Sequence, residues 1–178
     1  MTKRITEEEC RRLYKEYETP AHVIAHCDAV SRVAVTIAEH LNTCGFSFDI
    51  PLIRGAGLAH DVARVRDKHW EVGADILAGL GYQAEADIVR VHMRFDFHSF
   101  EELNETDMVC LGDRLVKEDR YVGLDERIDY ILHKAPDDPA VIRRILAKKT
   151  ETGHLIKQIE AAIGQTIDSL FSSYRQKG

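Results

Sequence analysis

Histidine and aspartate residues recur along this 178-residue sequence in a pattern that could bind metal ions. Nine histidines are present, and one of them forms the pair His60-Asp61 inside a run of small apolar residues. Such a run normally forms a buried helix, where an ionised aspartate is costly unless a cation or hydrogen-bond donors compensate its charge. A divalent ion would provide that compensation. The pair therefore indicates a metal site in the interior of the protein.

Four more residues of ligand type occupy the apolar stripes of other predicted helices, where periodicity directs their side chains inward. Imidazole and carboxylate groups together suit Fe, Mn, Zn, Ni or Co, whereas the lack of a cysteine ligand argues against a structural zinc site. Six protein ligands exceed the need of one ion and fit two divalent transition-metal ions bridged by Asp61. The predicted metal ligands are His26, His60, Asp61, His69, His92 and Asp113.

The elements that position these residues are predicted to be helices joined by short turns, without convincing strand alternation. Capping signals predict helix starts at Thr6 and at Thr19-Pro20, with Thr19 as the N-cap and Pro20 at the first helical position. A third helix is predicted to start at Asp49 and to run through His60-Asp61 to about Arg66. On such a helix, the side chains at positions 60, 61 and 64 would share one face.

The C-terminal part of the sequence shows two further helical segments, one ending near residue 149 and one from about 152 to 174. They are predicted to form an antiparallel hairpin packed on the body, over about residues 136–175. We therefore predict an all-α bundle of about seven to nine helices, formed as a single domain by residues 1–178.

Composition limits the classes of protein and partner. Lysine and arginine number 24 against 30 acidic residues, the net charge is −6, and 44% of the residues are hydrophobic. These values are ordinary for a globular domain and lack the basic stripe that a long nucleic acid requires. No apolar run is long enough to cross a membrane, and the N-terminus lacks the apolar segment of a secretion signal. Four cysteines without a C-x-x-C pair predict reduced thiols and, with the other features, a cytoplasmic protein.

The order and spacing of the six ligands, H-x33-HD-x7-H-x22-H-x20-D, resemble the HD-domain superfamily of metal-dependent phosphohydrolases in its two-metal form. Residues 68–77 resemble the H-x-x-x-G-A-x-I-L helix of that family, and residues 91–93 and 111–113 resemble the segments around its fourth histidine and closing aspartate. The resemblance covers about residues 19–125. It implies an HD-type dinuclear enzyme in which a hydroxide bridging the two metal ions attacks a phosphoester or phosphoanhydride bond.

Within the superfamily, the chain most resembles the bacterial HD-domain diadenosine tetraphosphate hydrolases, because Arg120 and Gly123 follow Asp113. That resemblance implies a nucleotide or dinucleoside polyphosphate as substrate and favours iron, with manganese, nickel, cobalt and zinc as alternatives. The expected partner is thus a small phosphorylated compound rather than a long nucleic acid or a membrane, and a homodimer stays open. The cyclic-dinucleotide phosphodiesterases share the ligands, but their Gly-Tyr-Pro signature is missing after His92.

Several further residues are candidates for substrate contact. Asp61 and Arg64 are the predicted catalytic residues, and Arg64 could hold a phosphate oxygen with two hydrogen bonds. His22, one turn before His26, could contact phosphate, donate to another side chain, or bind a third ion. The other candidates for substrate binding are His98, Lys117 and Arg120.

Two other functions stay open from the sequence. The same ligand set occurs in di-iron HD oxygenases, which cleave C–C or C–P bonds with O₂, although the basic residues near the site favour hydrolysis. An HD scaffold can also act as a non-catalytic sensor or binding domain, but degenerate members typically lose ligands, and this sequence has all six.

Overall fold

The computed structural model describes residues 3–172 of the chain. These residues form α-helices, two 3₁₀ turns and one short two-stranded hairpin, which confirms the predicted all-α class. In chain order the elements are α1 (Glu7–Glu16), α2 (Ala21–Thr43), α3 (Ile50–Ala59), α4 (His69–Gly79), α5 (Gln83–Val91), the 3₁₀ turns His92–Arg94 and Phe100–Glu102, α6 (Glu105–Leu115), β1 (Val116–Lys117), β2 (Arg120–Tyr121), α7 (Leu124–Lys134), α8 (Pro139–Ile163) and α9 (Ile167–Leu170). Among residues 3–172, no helix combines the length and apolar character needed to cross a membrane.

Helix α2 forms the centre of the bundle and packs against α3 and α6. Glycines allow both contacts to be very close. A Cβ atom on Gly57 of α3 would lie 2.8 Å from the Cα atom of Ser31, and one on Gly112 of α6 would lie 2.9 Å from the carbonyl oxygen of Val30. The three helices can approach to this distance only because neither glycine has a side chain. The ends of α3 and α6 are thereby brought next to the same part of α2.

Two of the predicted helix caps are confirmed, and one is corrected. The Thr6 hydroxyl accepts a hydrogen bond from the Glu9 backbone N–H (3.2 Å), as predicted for an N-cap. The Asp49 carboxylate likewise caps α3. Thr19, in contrast, is not a cap: its hydroxyl donates to the carbonyl oxygen of Val62 at 2.6 Å, and Pro20 directly precedes the first residue of α2.

The predicted extension of α3 to about Arg66 is wrong, because the helix ends at Ala59. The following residues form tight turns, in which the backbone N–H of Arg64 donates to the carbonyl oxygen of Asp61 at 3.0 Å. The backbone N–H of Arg66 donates to the carbonyl oxygen of Ala63 at 2.8 Å, and the carbonyl oxygen of Val62 accepts from the Thr19 hydroxyl at 2.6 Å. His60 and Asp61 therefore lie just beyond the end of α3, and Arg64 belongs to a turn and shares no helical face with them.

The predicted C-terminal hairpin is also wrong, because α8 is continuous from Pro139 to Ile163. Thr150 and Thr152, near the predicted break, do not interrupt the helix. The hydroxyl of Thr152 donates within α8 to the carbonyl oxygen of Lys148 at 2.7 Å. Gly164, with φ of +71°, ends the helix in the left-handed conformation that glycine adopts without strain. The last predicted helical residues, around Tyr174, lie outside the described part of the chain.

Candidate metal centre

Four histidines from four separate parts of the chain form a cluster. The rings of His26 and His60 lie 5.4 Å apart between centroids, those of His60 and His92 lie 5.3 Å apart, and those of His69 and His92 lie 5.7 Å apart. His60, His69 and His92 are buried. The structure therefore brings together the four histidines that the sequence predicted as ligands.

Asp61 lies at the centre of this cluster. Its Oδ1 atom is 3.0 Å from Nε2 of His69 and 3.7 Å from Nε2 of His92, and its Oδ2 atom is 3.8 Å from Nε2 of His60. Two groups of possible ligands result, one of His26, His60 and Asp61 and one of Asp61, His69 and His92; within each group the ligand atoms lie within 4.8 Å of one another. Both groups share Asp61, as expected for a carboxylate between two metal ions.

The sixth predicted ligand, Asp113 on α6, extends the first group. Its Oδ1 atom lies 3.0 Å from Nε2 of His26. The close contact between α6 and α2 at Gly112 places this carboxylate beside α2, which carries His26. All six predicted ligands are therefore neighbours in the structure, although they are spread over 88 positions of the sequence.

Backbone carbonyl groups orient three of the imidazoles. The Nδ1 atom of His60 lies 2.8 Å from the carbonyl oxygen of Gly57, and that of His92 lies 2.7 Å from the carbonyl oxygen of Val89. The Nδ1 atom of His26 lies 2.8 Å from the carbonyl oxygen of Glu118, in the β1–β2 turn. A carbonyl can only accept, so Nδ1 is the donor in each ring, and in the neutral form of the ring Nε2 keeps its lone pair. All three rings therefore present Nε2 to the cluster, and in its neutral form this nitrogen can bind a metal ion.

Two polar atoms of the cluster are buried without a hydrogen-bond partner. They are Nε2 of His60 and Oδ1 of Asp61, although the latter lies near His69. Leaving such an atom unsatisfied costs about 1–3 kcal/mol. A cation contacting both atoms would remove that cost, and both are of the type that binds divalent transition metals. The residues present thus fit a metal ion.

The electrostatics of the cluster keep both carboxylates ionised. Burial by itself would raise the pKa of Asp61, but the imidazoles of His60, His69 and His92 outweigh it and lower that pKa. Burial would likewise raise the pKa of Asp113, but its bond to His26 and the nearby His60 lower it. A negatively charged pair in the protein interior is the electrostatic environment that favours a bound cation.

The pKa values of the imidazoles are shifted in opposite directions by burial and by neighbouring carboxylates. Burial lowers the pKa of His60, which is consistent with an unprotonated Nε2. The pKa of His26 and that of His92 are raised despite burial, because each contacts a carboxylate, Asp113 and Asp61 respectively. Without a metal ion, the protein therefore retains protons on these two rings to higher pH than free histidine does.

Arg64 lies at the edge of the centre, as predicted, although a turn rather than a helix places it there. Its Nη1 atom is 3.2 Å and 3.3 Å from the two ring nitrogens of His69, and its Nε atom is 3.7 Å from Oδ2 of Asp61. The side chain is about half exposed (47%). One of its ends thus touches two predicted ligands while the rest faces solvent.

Within residues 3–172, the other predicted substrate-binding residues make no hydrogen bond or ion pair with the six predicted ligands. Lys117 pairs with Glu126 at 3.4 Å, and Arg120 and His22 are exposed side chains. His98 is held by the buried carboxylate of Asp107, which its Nδ1 atom approaches to 2.9 Å. Asp107 lies in the first turn of α6, six residues or about 9 Å of helix before Asp113, so His98 is anchored to the opposite end of that helix.

One cation beside the centre was missed in the sequence. Arg127 of α7 places its Nη2 atom 3.9 Å from Oδ1 of Asp113, and its side chain is only 18% exposed. Its Nε atom is buried without a hydrogen-bond partner. A detectable signal existed, because Arg127 follows Leu124 by three residues and precedes Ile131 by four, so it lies on an apolar stripe as the histidines do.

Comparison with known proteins places these findings in a family. Residues 23–121, more than half of the chain, match the HD domain. The chain belongs to the HD domain family. HD domains are typically metal-dependent phosphohydrolases and bind divalent metal ions, and all six predicted ligands lie within the matched stretch.

A relative of this HD-domain protein offers no finer description. An uncharacterized protein of Methanocaldococcus jannaschii is 28% identical over 153 residues, which cover 76% of this chain and 90% of the relative. No solved structure matches the chain. The narrower resemblance to diadenosine tetraphosphate hydrolases therefore gains no support from these relatives.

Proposed function

We propose that this HD-domain protein is a hydrolase that cleaves a phosphoester or phosphoanhydride bond of a small phosphorylated compound, a nucleotide or dinucleoside polyphosphate. The observation that carries the proposal is the pair of ligand groups that share Asp61. Two adjacent cations joined by one carboxylate are a common arrangement for phosphoryl hydrolysis, since they can act on both the attacking and the leaving oxygen.

The residues divide between the two ions. His26, His60, Asp61 and Asp113 would hold one, and Asp61, His69 and His92 would hold the other. Histidine and carboxylate ligands without cysteine fit iron, which we favour, as well as manganese, nickel, cobalt or zinc. When bound, such ions supply an ionised water molecule at neutral pH and neutralise charge on the phosphoryl oxygens.

The protein's own side chains would bind and orient the phosphoryl group. Arg64 is half exposed beside Asp61 and can donate two parallel hydrogen bonds to a phosphate oxygen pair. Arg127 contacts Asp113, which belongs to the other group of ligands. The buried Nε atom of Arg127 has no hydrogen-bond partner, and we assign this side chain a similar role. Fixed cations in a site of low exposure stabilise developing charge more than they would in water. Lys117, Arg120 and His22 would contact the outer parts of the substrate.

The proposal is tested by the substitution Asp61→Asn, which removes the shared charge at almost constant volume. We expect it to lower metal content, measured by mass spectrometry of the purified protein. We also expect turnover of diadenosine tetraphosphate and of small phosphodiesters to fall at least about 100-fold, because a shared ligand serves both ions. The matched control is Asp75→Asn, whose side chain on α4 is exposed, and it should change neither quantity.

Three results would contradict the proposal. An Asp61→Asn protein that keeps both its metal and its turnover would show that the shared carboxylate is not a metal ligand. Product formation that requires O₂ would indicate an oxygenase. A wild-type protein without bound transition metal would indicate a binding domain.

A further inference from the structure

A second feature, separate from the histidine cluster, is a cleft of about 820 Å³ between α8, α7 and the residues that follow α5. Its lining contains four cationic side chains and one carboxylate, Asp96. The chain as a whole has the opposite balance, with 24 basic and 30 acidic residues. The cations are Arg94, Arg114, Arg144 and Lys148. Positive charge is therefore concentrated in this cleft, which favours an anionic ligand.

The rest of the lining is apolar. Phe95, Ile128, Ile131 and Ile145 contribute to it, and Ile128 is buried. Apolar walls with a few charged groups are typical of sites for small organic ligands, because burial supplies affinity and the charges supply orientation. A ligand that uses both parts must carry an anionic group and an apolar or aromatic group.

The cations are held in different ways. Arg114 is fixed by hydrogen bonds from its guanidinium to the carbonyl oxygen of Phe95 and the hydroxyl of Thr152, both at 3.0 Å. Lys148 pairs with Asp96, whose side chain is 77% exposed, and also lies 3.5 Å from a carboxylate oxygen of Glu151. Arg144 is exposed, and within residues 3–172 its side chain makes no hydrogen bond or ion pair. Arg144 is thus free to bind an anion, and a phosphate could replace Asp96 as the partner of Lys148.

Two residues of the cleft lining are close neighbours in sequence of predicted metal ligands. Arg94 lies two residues after His92, and Arg114 directly follows Asp113. Both ligand-bearing segments therefore continue into the cleft wall. A substrate whose reacting phosphate lies among the histidines could extend its remaining part toward α8.

We propose that this cleft binds a nucleoside polyphosphate, with phosphates on Arg144 and Lys148 and with the base against Phe95 and the isoleucines. As a binding site, the cleft stands without the hydrolase; its assignment as a subsite for the substrate rests on the proposed function. The C-terminal helix α8 is then part of the binding site, a role that the ligand pattern of the HD domain does not reveal.

The test is equilibrium binding to the full-length protein in EDTA, measured by isothermal titration calorimetry with ATP, inorganic tripolyphosphate and adenosine. The variant is Arg144→Ala, and the matched control is Arg143→Ala, since both are exposed neighbours on α8 and only Arg144 lines the cleft. Loss of one charged hydrogen-bond donor predicts at least about tenfold weaker ATP binding for Arg144→Ala. We expect less than a twofold change for Arg143→Ala, and ATP should bind more tightly than tripolyphosphate or adenosine.

The inference is wrong if ATP does not bind at millimolar concentration, if the two arginine variants lose affinity equally, or if tripolyphosphate binds as tightly as ATP. Circular dichroism melting shows whether each variant is folded, and Arg144→Glu, which reverses the charge, should weaken ATP binding further. In turnover, Arg144→Ala should raise KM for a nucleotide, whereas Arg143→Ala should leave KM unchanged. Binding is measured without metal, so its result does not depend on catalysis. ATP binding that requires Arg144 would therefore support the cleft as a binding site even if the protein is not a hydrolase.

Discussion

The close contact between α6 and α2 predicts a large effect from a single methyl group at Gly112. The Cβ atom of Gly112→Ala would lie 2.9 Å from the carbonyl oxygen of Val30 and 3.1 Å from the Cβ atom of Ala34. Because the nearest atom belongs to the backbone, a side-chain rotation cannot relieve the clash, and α6 must move away from α2. Overpacking costs about 1–3 kcal/mol, and we take the upper end for a backbone clash. Alanine recovers about 1 kcal/mol of helix propensity, so the free energy of unfolding should fall by about 2 kcal/mol.

The measurement is thermal and urea unfolding followed by circular dichroism. For a chain of this length, a loss of about 2 kcal/mol corresponds to a decrease in Tm of about 4–8 °C. The matched control is Gly153→Ala in α8, where the added Cβ would meet only Leu124 at 3.8 Å. That variant should be more stable than the wild type by up to about 1 kcal/mol. If Gly112→Ala is as stable as Gly153→Ala, the helices do not approach as described. Movement of α6 should also displace Asp113, so metal affinity should fall in Gly112→Ala and remain unchanged in Gly153→Ala.

Three further predictions concern the metal centre, the turn after α3 and the thiols. Metal affinity, measured by titration with Co²⁺, should weaken as pH falls from 8 to 6. The pKa values of His26 and His92 are raised, so protons compete with the metal ion for these rings, and an affinity independent of pH would contradict this. Thr19→Val should lower the free energy of unfolding by about 1–3 kcal/mol in urea, since the Val62 carbonyl loses its partner; an unchanged value would refute it. Ellman's reagent should react rapidly with Cys44 alone in the native protein and with four thiols in denaturant, since burial raises the pKa of the other three.

The sequence by itself was sufficient to predict the helical class and six candidate ligands that lie close together in the structure. Periodicity decides whether a side chain points inward, and it does so within each helix, whatever the arrangement of the others. His26 and Asp113 were predicted as inward-facing from apolar neighbours three and four residues away, and the structure places them 3.0 Å apart. The cap at Thr6 was predictable for the same reason, because its bond to Glu9 spans three residues.

Contacts between distant parts of the chain decided the rest. The turns after α3 include a bond from the Thr19 hydroxyl to the Val62 carbonyl, 43 positions away, and no local pattern near residue 62 records that bond. The approach of Arg127 to Asp113 depends on how α7 returns after the β1–β2 turn. The cleft formed with α8 is also a product of packing. Local sequence therefore determined which side chains point inward, whereas tertiary structure decided how the turns after α3 are held and which charges meet, because those contacts join residues remote in the chain.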